Sequence, residues 1–159
     1  MNLPSIALWG FVGTVVLTTL MAAAKGFGVS RMSIPFLLGT MFTANRERAP
    51  IIGFVVHMMN GFIFAMVYAA AFEALALATW WFGAVIGLVH ALFVLCAAMP
   101  IMPAMHPRMA AESHGPTATR SLQPPGFMAL NYGYRTPLVS IAAHLAYGAI
   151  LGGFYQLSG

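Results

Sequence analysis

Four long apolar stretches, separated by segments that hold the charged residues, organise this chain. Each stretch is close to the length of about 20 residues that a helix needs to cross a bilayer. A proline precedes the second and fourth stretches, where the first turn of a helix tolerates it, and two prolines follow the third. The pattern therefore predicts an all-α membrane protein with transmembrane helices over 3–24, 51–72, 80–99 and 138–157.

The connecting segments also contain structural signals. Residues 33–45 combine Ser33, a candidate helix cap, with Pro35 near the first turn and an apolar face after it. This favours a short interfacial helix that lies on the inner leaflet. The second connection, 100–136, contains a shorter counterpart at 126–131 and a hydrophilic stretch at 106–125 that we expect to be the main exposure to the cytosol.

An internal repeat relates the two halves of the chain. A shift of 87 positions aligns eight identical residues within a 30-residue window without a gap. The sequence therefore predicts two helix–segment–helix repeats, 1–72 and 80–157, which are parallel because each crosses the membrane an even number of times. The shared motif pairs Arg48 with Arg135, Pro50 with Pro137, His57 with His144, Gly61 with Gly148 and Tyr68 with Tyr155.

Composition narrows the class of protein further. The chain is 60% apolar and 6% charged, whereas a soluble domain carries roughly 25% charged residues. A single cysteine excludes a disulfide framework and a multi-thiolate metal site. Seven basic residues are too few for a nucleic-acid footprint. The expected partners are therefore the lipid bilayer and other membrane subunits or further copies of this chain.

The basic residues predict the orientation in the membrane. All seven lie after the first or the third apolar stretch, and the 73–79 connection has none. By the positive-inside rule, the long loops face the cytoplasm and both termini lie outside. The basic residues are Lys25, Arg31, Arg46, Arg48, Arg108, Arg120 and Arg135.

Three histidines are the most informative polar residues inside the predicted helices. His57 and His144 each lie seven residues after a proline, and His90 lies nine residues before Met99, so all three lie at a similar depth. Imidazole is an axial ligand for haem iron and can bind the magnesium of a chlorophyll or bacteriochlorophyll. Hydrogen bonds between helices are the more common use of such histidines and come first, ahead of a macrocycle ligand and of a metal site or proton path.

For the structural interpretation of these histidines, the sequence offers several partners nearby. Asn60, Thr14, Thr18 and Tyr147 are the candidates.

Small residues spaced four apart predict close helix packing. Gly83 and Gly87 form one such pair, Gly148 and Gly152 a second, and Gly61 with Ala65 a weaker third. His106 lies in a methionine-rich run that follows the third helix, and anchoring at the interface explains this run better than a Cu(I) site does.

Sequence signals of catalysis are absent. The predicted helices contain no aspartate, and the chain has no nucleophile–base pair and no Walker, Rossmann, HExxH or CxxC motif. We therefore expect a protein that is not an enzyme.

The stretches 36–69 and 106–137 resemble a group of small bacterial four-helix membrane proteins without an assigned function. The resemblance covers most of the chain and implies a bacterial origin and a location in the cytoplasmic (inner) membrane. It provides no active site that could be transferred to this chain.

Together these observations predict a non-catalytic accessory subunit of a larger bacterial membrane complex, respiratory or photosynthetic. Its candidate cofactor is a haem or a (bacterio)chlorophyll held by His57, His144 and His90. The alternative is a small channel or transporter with a path lined by these histidines.

Overall fold

A computed structural model describes residues 1–158 and contains helices but no strand within that range. The helices are α1 (Leu3–Gly26), α2 (Ile34–Phe42), α3 (Ala49–Ala74), α4 (Trp80–Phe93), a π turn (Val94–Ala98), α5 (Met99–Met105), a 3₁₀ helix (Phe127–Tyr132) and α6 (Thr136–Phe154). The π turn joins α4 and α5 into one span, Trp80–Met105. The prediction of four helices long and apolar enough to cross a membrane is confirmed.

The third and fourth spans differ from their predicted limits. The third continues six residues beyond 99 because the wide π turn lies in the turn that precedes Pro100. A π turn relieves the clash between the proline ring and the carbonyl group one turn earlier. The fourth ends at Phe154 rather than 157, since Tyr155 is extended and its hydroxyl is bonded to Asn2 and Glu73.

α6 packs against α4 at main-chain distance. A Cβ atom on Gly83 would collide with the carbonyl oxygen of Gly148, and one on Gly148 would collide with that of Gly83. One turn along, a Cβ atom on Gly87 would collide with the carbonyl oxygen of His144. Gly152 lies equally close to the Thr79 carbonyl. These glycines allow the backbones of α6 and α4 to touch over several turns.

The other helices also meet through small residues. Gly61 of α3 leaves no room for a Cβ atom beside Thr14 of α1. Gly39 of α2 lies against the carbonyl oxygen of Ala49, and Gly53 of α3 lies against that of Pro35. α2 is therefore packed along the first turns of α3, and its predicted position on a leaflet stays a prediction.

The two ends of the bundle differ in charge. At one end Tyr155 donates to Glu73 over 2.7 Å and accepts from the amide of Asn2, and the Met1 amine lies 3.7 Å from Glu73. The other end holds all seven basic residues: Lys25 in the last turn of α1 and six arginines in the three connections. Termini and long connections therefore lie at opposite ends of the bundle, and the side of the membrane that each end faces stays a prediction.

The repeat is not reproduced in the helix packing. The backbone of α6 lies close to those of α1 and α4, whereas α3, its counterpart, meets α4 through side chains such as Phe64 and Tyr68. In addition, Met128 and Ala129 have left-handed backbone conformations, so the 3₁₀ segment is not a second copy of α2. The duplication and its symmetry axis therefore stay predictions.

The glycine contact between α4 and α6 generates a stability prediction. We expect Gly83→Ala to lower the stability of the bundle by about 1–3 kcal/mol, because the new methyl group must push α6 away. The measurement is the apparent melting temperature in lipid nanodiscs.

Gly26→Ala is the matched control, since nothing lies within 4 Å of the site where its methyl group would be placed. A melting temperature lowered equally by both substitutions would contradict the main-chain contact.

Candidate functional site

A cavity of about 180 Å³ lies between the helices on the side of the bundle nearer the basic end. Its wall is mostly apolar, and no Asp, Glu, Lys or Arg of residues 1–158 lines it. We call it the imidazole cavity because all three predicted histidines contribute to its wall. The polar lining residues are Thr14, His57, Asn60, His90, Ser140, His144 and Tyr147.

His90 is held by aromatic neighbours on several sides. The Phe64 ring stacks on it with ring centroids 3.7 Å apart, and the Tyr68 hydroxyl lies 3.3 Å from its Nδ1. His144 meets it edge-on, with ring centroids 4.7 Å apart. If Tyr68 donates to Nδ1, the proton of the neutral ring is on Nε2.

His144 is buried and bonded to its own helix. Its Nδ1 lies 2.7 Å from the carbonyl oxygen of Ser140, so Nδ1 must donate. In the neutral ring Nε2 is then an acceptor. Beside it, the Tyr147 hydroxyl donates to the Gly61 carbonyl oxygen over 2.6 Å, which ties α6 to α3 at the glycine that packs on Thr14.

His57 differs from the other two histidines. Its Nε2 is buried and has no hydrogen-bond partner within residues 1–158. Thr79 Oγ1 is the other buried side-chain atom of that range without a partner, and it does not line the cavity. An unpaired polar group in an apolar interior is costly, so His57 Nε2 is the atom of this site most in need of a ligand.

The π turn contributes directly to the cavity wall. Val94 and Ala98 line the cavity, one and two turns beyond His90. π turns inside α-helices frequently occur at functional sites. Sequence analysis missed this feature, and the only signal for it was Pro100 within a continuing apolar run.

A second cavity of about 390 Å³ adjoins the first at the basic end. The two share four wall residues, Met21, Met32, Ile34 and His57. The second cavity runs past Pro50 and Ser33 to Lys25 and Gly26, where α1 ends. His57 therefore lies in the wall between the interior and this outer space.

The opposite side of the imidazole cavity is closed by aromatic rings. Tyr68 packs edge-on against Tyr147 and Phe72 with centroid distances of 5.4 and 6.3 Å, and Phe72 lies 5.7 Å from Tyr155. All four of these side chains are buried. The cavity that adjoins the imidazole cavity within residues 1–158 lies at the basic end, away from these rings.

The segment that we expected to be the main cytosolic exposure is partly a cover for the bundle. His106 and Met109 are completely buried. His106 Nε2 donates to the Leu37 carbonyl oxygen over 3.0 Å, and Arg108 donates to that of Thr40 over 2.6 Å. Leu37 lines the imidazole cavity, so this segment holds α2 against the cavity. This role could not be predicted from the hydrophilic composition of the segment. His106 and Arg108 donate to main-chain carbonyl groups, which every residue type has.

The structure brings the three predicted histidines together, but with partly different partners. Thr14 and Thr18 donate to carbonyl groups of their own helix, Gly10 and Thr14, rather than to a histidine. The partners found are Tyr68 for His90 and the Ser140 carbonyl for His144. The repeat-motif tyrosines differ in role, since Tyr155 bonds to Glu73 at the far end.

The geometry does not favour a macrocycle at this site. A cavity of roughly 150 Å³ holds a molecule of the size of benzene, whereas haem and chlorophyll contain four joined pyrrole rings. His90 and His144 are in direct contact, which leaves no space for a flat ring between them. In the described part of the chain, no three His, Cys, Asp or Glu side chains converge in a way that could hold a metal ion.

Comparison with protein-family models, with curated proteins and with solved structures finds no significant match to this chain.

The cover held by His106 generates a pH prediction. Burial lowers the pKa of His106, and the nearby guanidinium groups of Arg108 and Arg120 lower it further, against the opposing effect of the bond to Leu37. His106 therefore takes up a proton more readily when the segment is released than when it is packed on α2. The packed state has its full stability above about pH 6.5, and this stability falls as the pH falls below that value. We expect limited proteolysis of 106–125 to accelerate between pH 7 and pH 5.

His106→Gln should be cleaved at nearly the same rate at both pH values, because no imidazole titrates at that position. His114→Gln, a substitution in the exposed part of the same segment, is the control and should keep the wild-type pH response. An unchanged pH response in His106→Gln would contradict the assignment.

Proposed function

We propose that this protein is a non-catalytic membrane subunit that holds a small, neutral ligand in the imidazole cavity. The unpaired His57 Nε2 carries this proposal, since a protein interior rarely keeps a buried polar atom without a partner. The wall provides few polar groups in an apolar surrounding, as is typical of small-molecule sites.

The closed aromatic side supports binding rather than conduction. A channel or transporter needs a path that reaches both ends of the bundle, whereas the space beyond Tyr68 and Phe72 is packed with side chains. The small channel or transporter remains the alternative, and it would require these aromatic side chains to move apart.

The role as a subunit is supported by how little of the chain extends from the bundle. The longest connection, between α5 and α6, is bonded back to its own helices through Arg108 and Arg120. A chain whose described residues 1–158 form little more than a membrane bundle acts most simply as part of a larger assembly. We place that assembly in the bacterial cytoplasmic membrane, in a respiratory or photosynthetic complex.

The orientation we propose follows from the charge difference between the ends. The basic end faces the cytoplasm and both termini face outward. This can be tested with single cysteines introduced into a Cys96→Ala background. Ala44→Cys and Thr119→Cys at the basic end should be shielded from an impermeant thiol reagent in intact cells, and Leu75→Cys should react.

Cells opened by detergent provide the control, because all three cysteines should then react. Labelling of Thr119→Cys but not of Leu75→Cys in intact cells would show the opposite orientation and contradict this proposal.

The binding function is tested by what the protein retains during purification. We expect wild-type protein, transferred from bacterial membranes to nanodiscs, to carry a small organic molecule that mass spectrometry detects after extraction. Ala98→Leu, which adds bulk to the cavity wall, should lose it, and Thr79→Val, which changes the other unpaired polar atom, should keep it.

An absorption band of a haem or a chlorin in the purified protein would show that the bound ligand is a macrocycle and would contradict a small ligand. Protein that carries no ligand and moves ions into liposomes would support the alternative instead.

A further inference from the structure

Resting on the proposed function, we propose that the imidazole cavity binds the ring of a lipid-soluble quinone. The ligand class is a neutral, flat six-membered ring that carries carbonyl oxygens and a flexible apolar tail. Three independent features support this class: the size of the cavity, the polar atoms that line it, and its connection to the adjoining cavity.

The size and shape suit a single ring. The volume of about 180 Å³ is close to that of a cavity that accepts benzene, with a small excess for substituents. Phe64, Phe93 and Tyr147 contribute aromatic side chains to the wall. Flat rings pack favourably against aromatic side chains in stacked or edge-on arrangements.

The polar atoms suit a neutral molecule that accepts hydrogen bonds. No charged side chain of residues 1–158 lines the cavity, so an ionised ligand would have no counter-charge. His57 Nε2 is unpaired, and His90 Nε2 carries a proton when Tyr68 donates to Nδ1. In the tautomer of His57 that carries its proton on Nε2, the two imidazoles provide two donors, which match the two carbonyl oxygens of a quinone ring.

The remaining imidazole extends the match to the hydroxylated form of the ring. His144 Nε2 is an acceptor, because Nδ1 donates to Ser140. A ring hydroxyl needs an acceptor as well as a donor. The three histidines together therefore provide both kinds of partner.

The adjoining cavity provides space for a tail. It shares Met21, Met32, Ile34 and His57 with the imidazole cavity and extends to Lys25 at the basic end. Methionine side chains are flexible and adapt to irregular apolar ligands. A ring bound at His57 can thus keep its tail in the groove between α1 and α3.

The test compares two probes that differ only in the ring oxygens. The first is a benzoquinone with a ten-carbon tail, and the second is decylbenzene. Each is added to wild-type protein in nanodiscs, and binding is measured as the shift of the melting temperature with probe concentration. We expect the quinone to bind more tightly than decylbenzene by at least tenfold, since a hydrogen bond from a buried donor contributes about that factor.

Variants locate the bound ring. His57→Ala should raise the Kd of the quinone about tenfold, and His57→Gln, which keeps an N–H donor, should restore part of the affinity. Ala98→Leu, which fills the cavity without touching a polar group, should abolish binding. Thr79→Val should bind like the wild type.

The outcomes separate the two proposals. Equal binding of both probes, lost in Ala98→Leu, would overturn the quinone class and leave the binding function standing. If none of the variants changes the Kd of the quinone, the quinone binds outside the imidazole cavity, and this would overturn the inference. If neither probe binds and the purified protein carries no ligand, the proposed function fails as well.

Discussion

Main-chain contact between α4 and α6 is the constraint on which the rest of this bundle depends. Because Gly83 and Gly148 have no side chains, the two backbones touch, and the contact continues to Gly87 and the carbonyl group of His144. This distance brings the rings of His90 and His144 together one turn further along. A larger residue in the glycine pairs would separate both helices and imidazoles, so packing and site geometry are set by the same contact.

Membrane interiors penalise unpaired polar groups, and the three imidazoles meet this penalty differently. His144 bonds to its own helix, and His90 bonds to Tyr68 on a neighbouring helix. Of the three, His57 alone has a fully buried ring nitrogen, Nε2, without a partner in residues 1–158, and it lies in the wall between the two cavities. Hydrogen bonds hold His90 and His144 in place. The unpaired atom of His57 lies on the side of the imidazole cavity that adjoins the second cavity. This is the physical basis for proposing a ligand there.

Much of this architecture could be predicted because it depends on local pattern. The four spans follow from apolar length, and the common depth of His57, His90 and His144 follows from counting residues. The partners of the histidines could not be predicted, since Tyr68 and the Ser140 carbonyl are chosen by helix rotation, which the sequence pattern leaves open. The buried His106 escaped prediction because its acceptor is a main-chain carbonyl group, which has no sequence signature. The repeat motif predicts two parallel repeats about an axis along the membrane normal, and this symmetry stays a prediction.

The π turn at Val94–Ala98 places the helix beyond it in a different register from the helix before it. An ordinary α-helix advances by about 100° per residue, so one residue added within a turn rotates all later side chains by that angle. The rotation decides which side of α5 carries Met99 and Met102, and both line the imidazole cavity. Deleting a single residue from the turn would keep a continuous apolar helix of nearly the same length, yet it would point these two methionines elsewhere. The cavity wall is therefore sensitive to the number of residues in this span as well as to their identity.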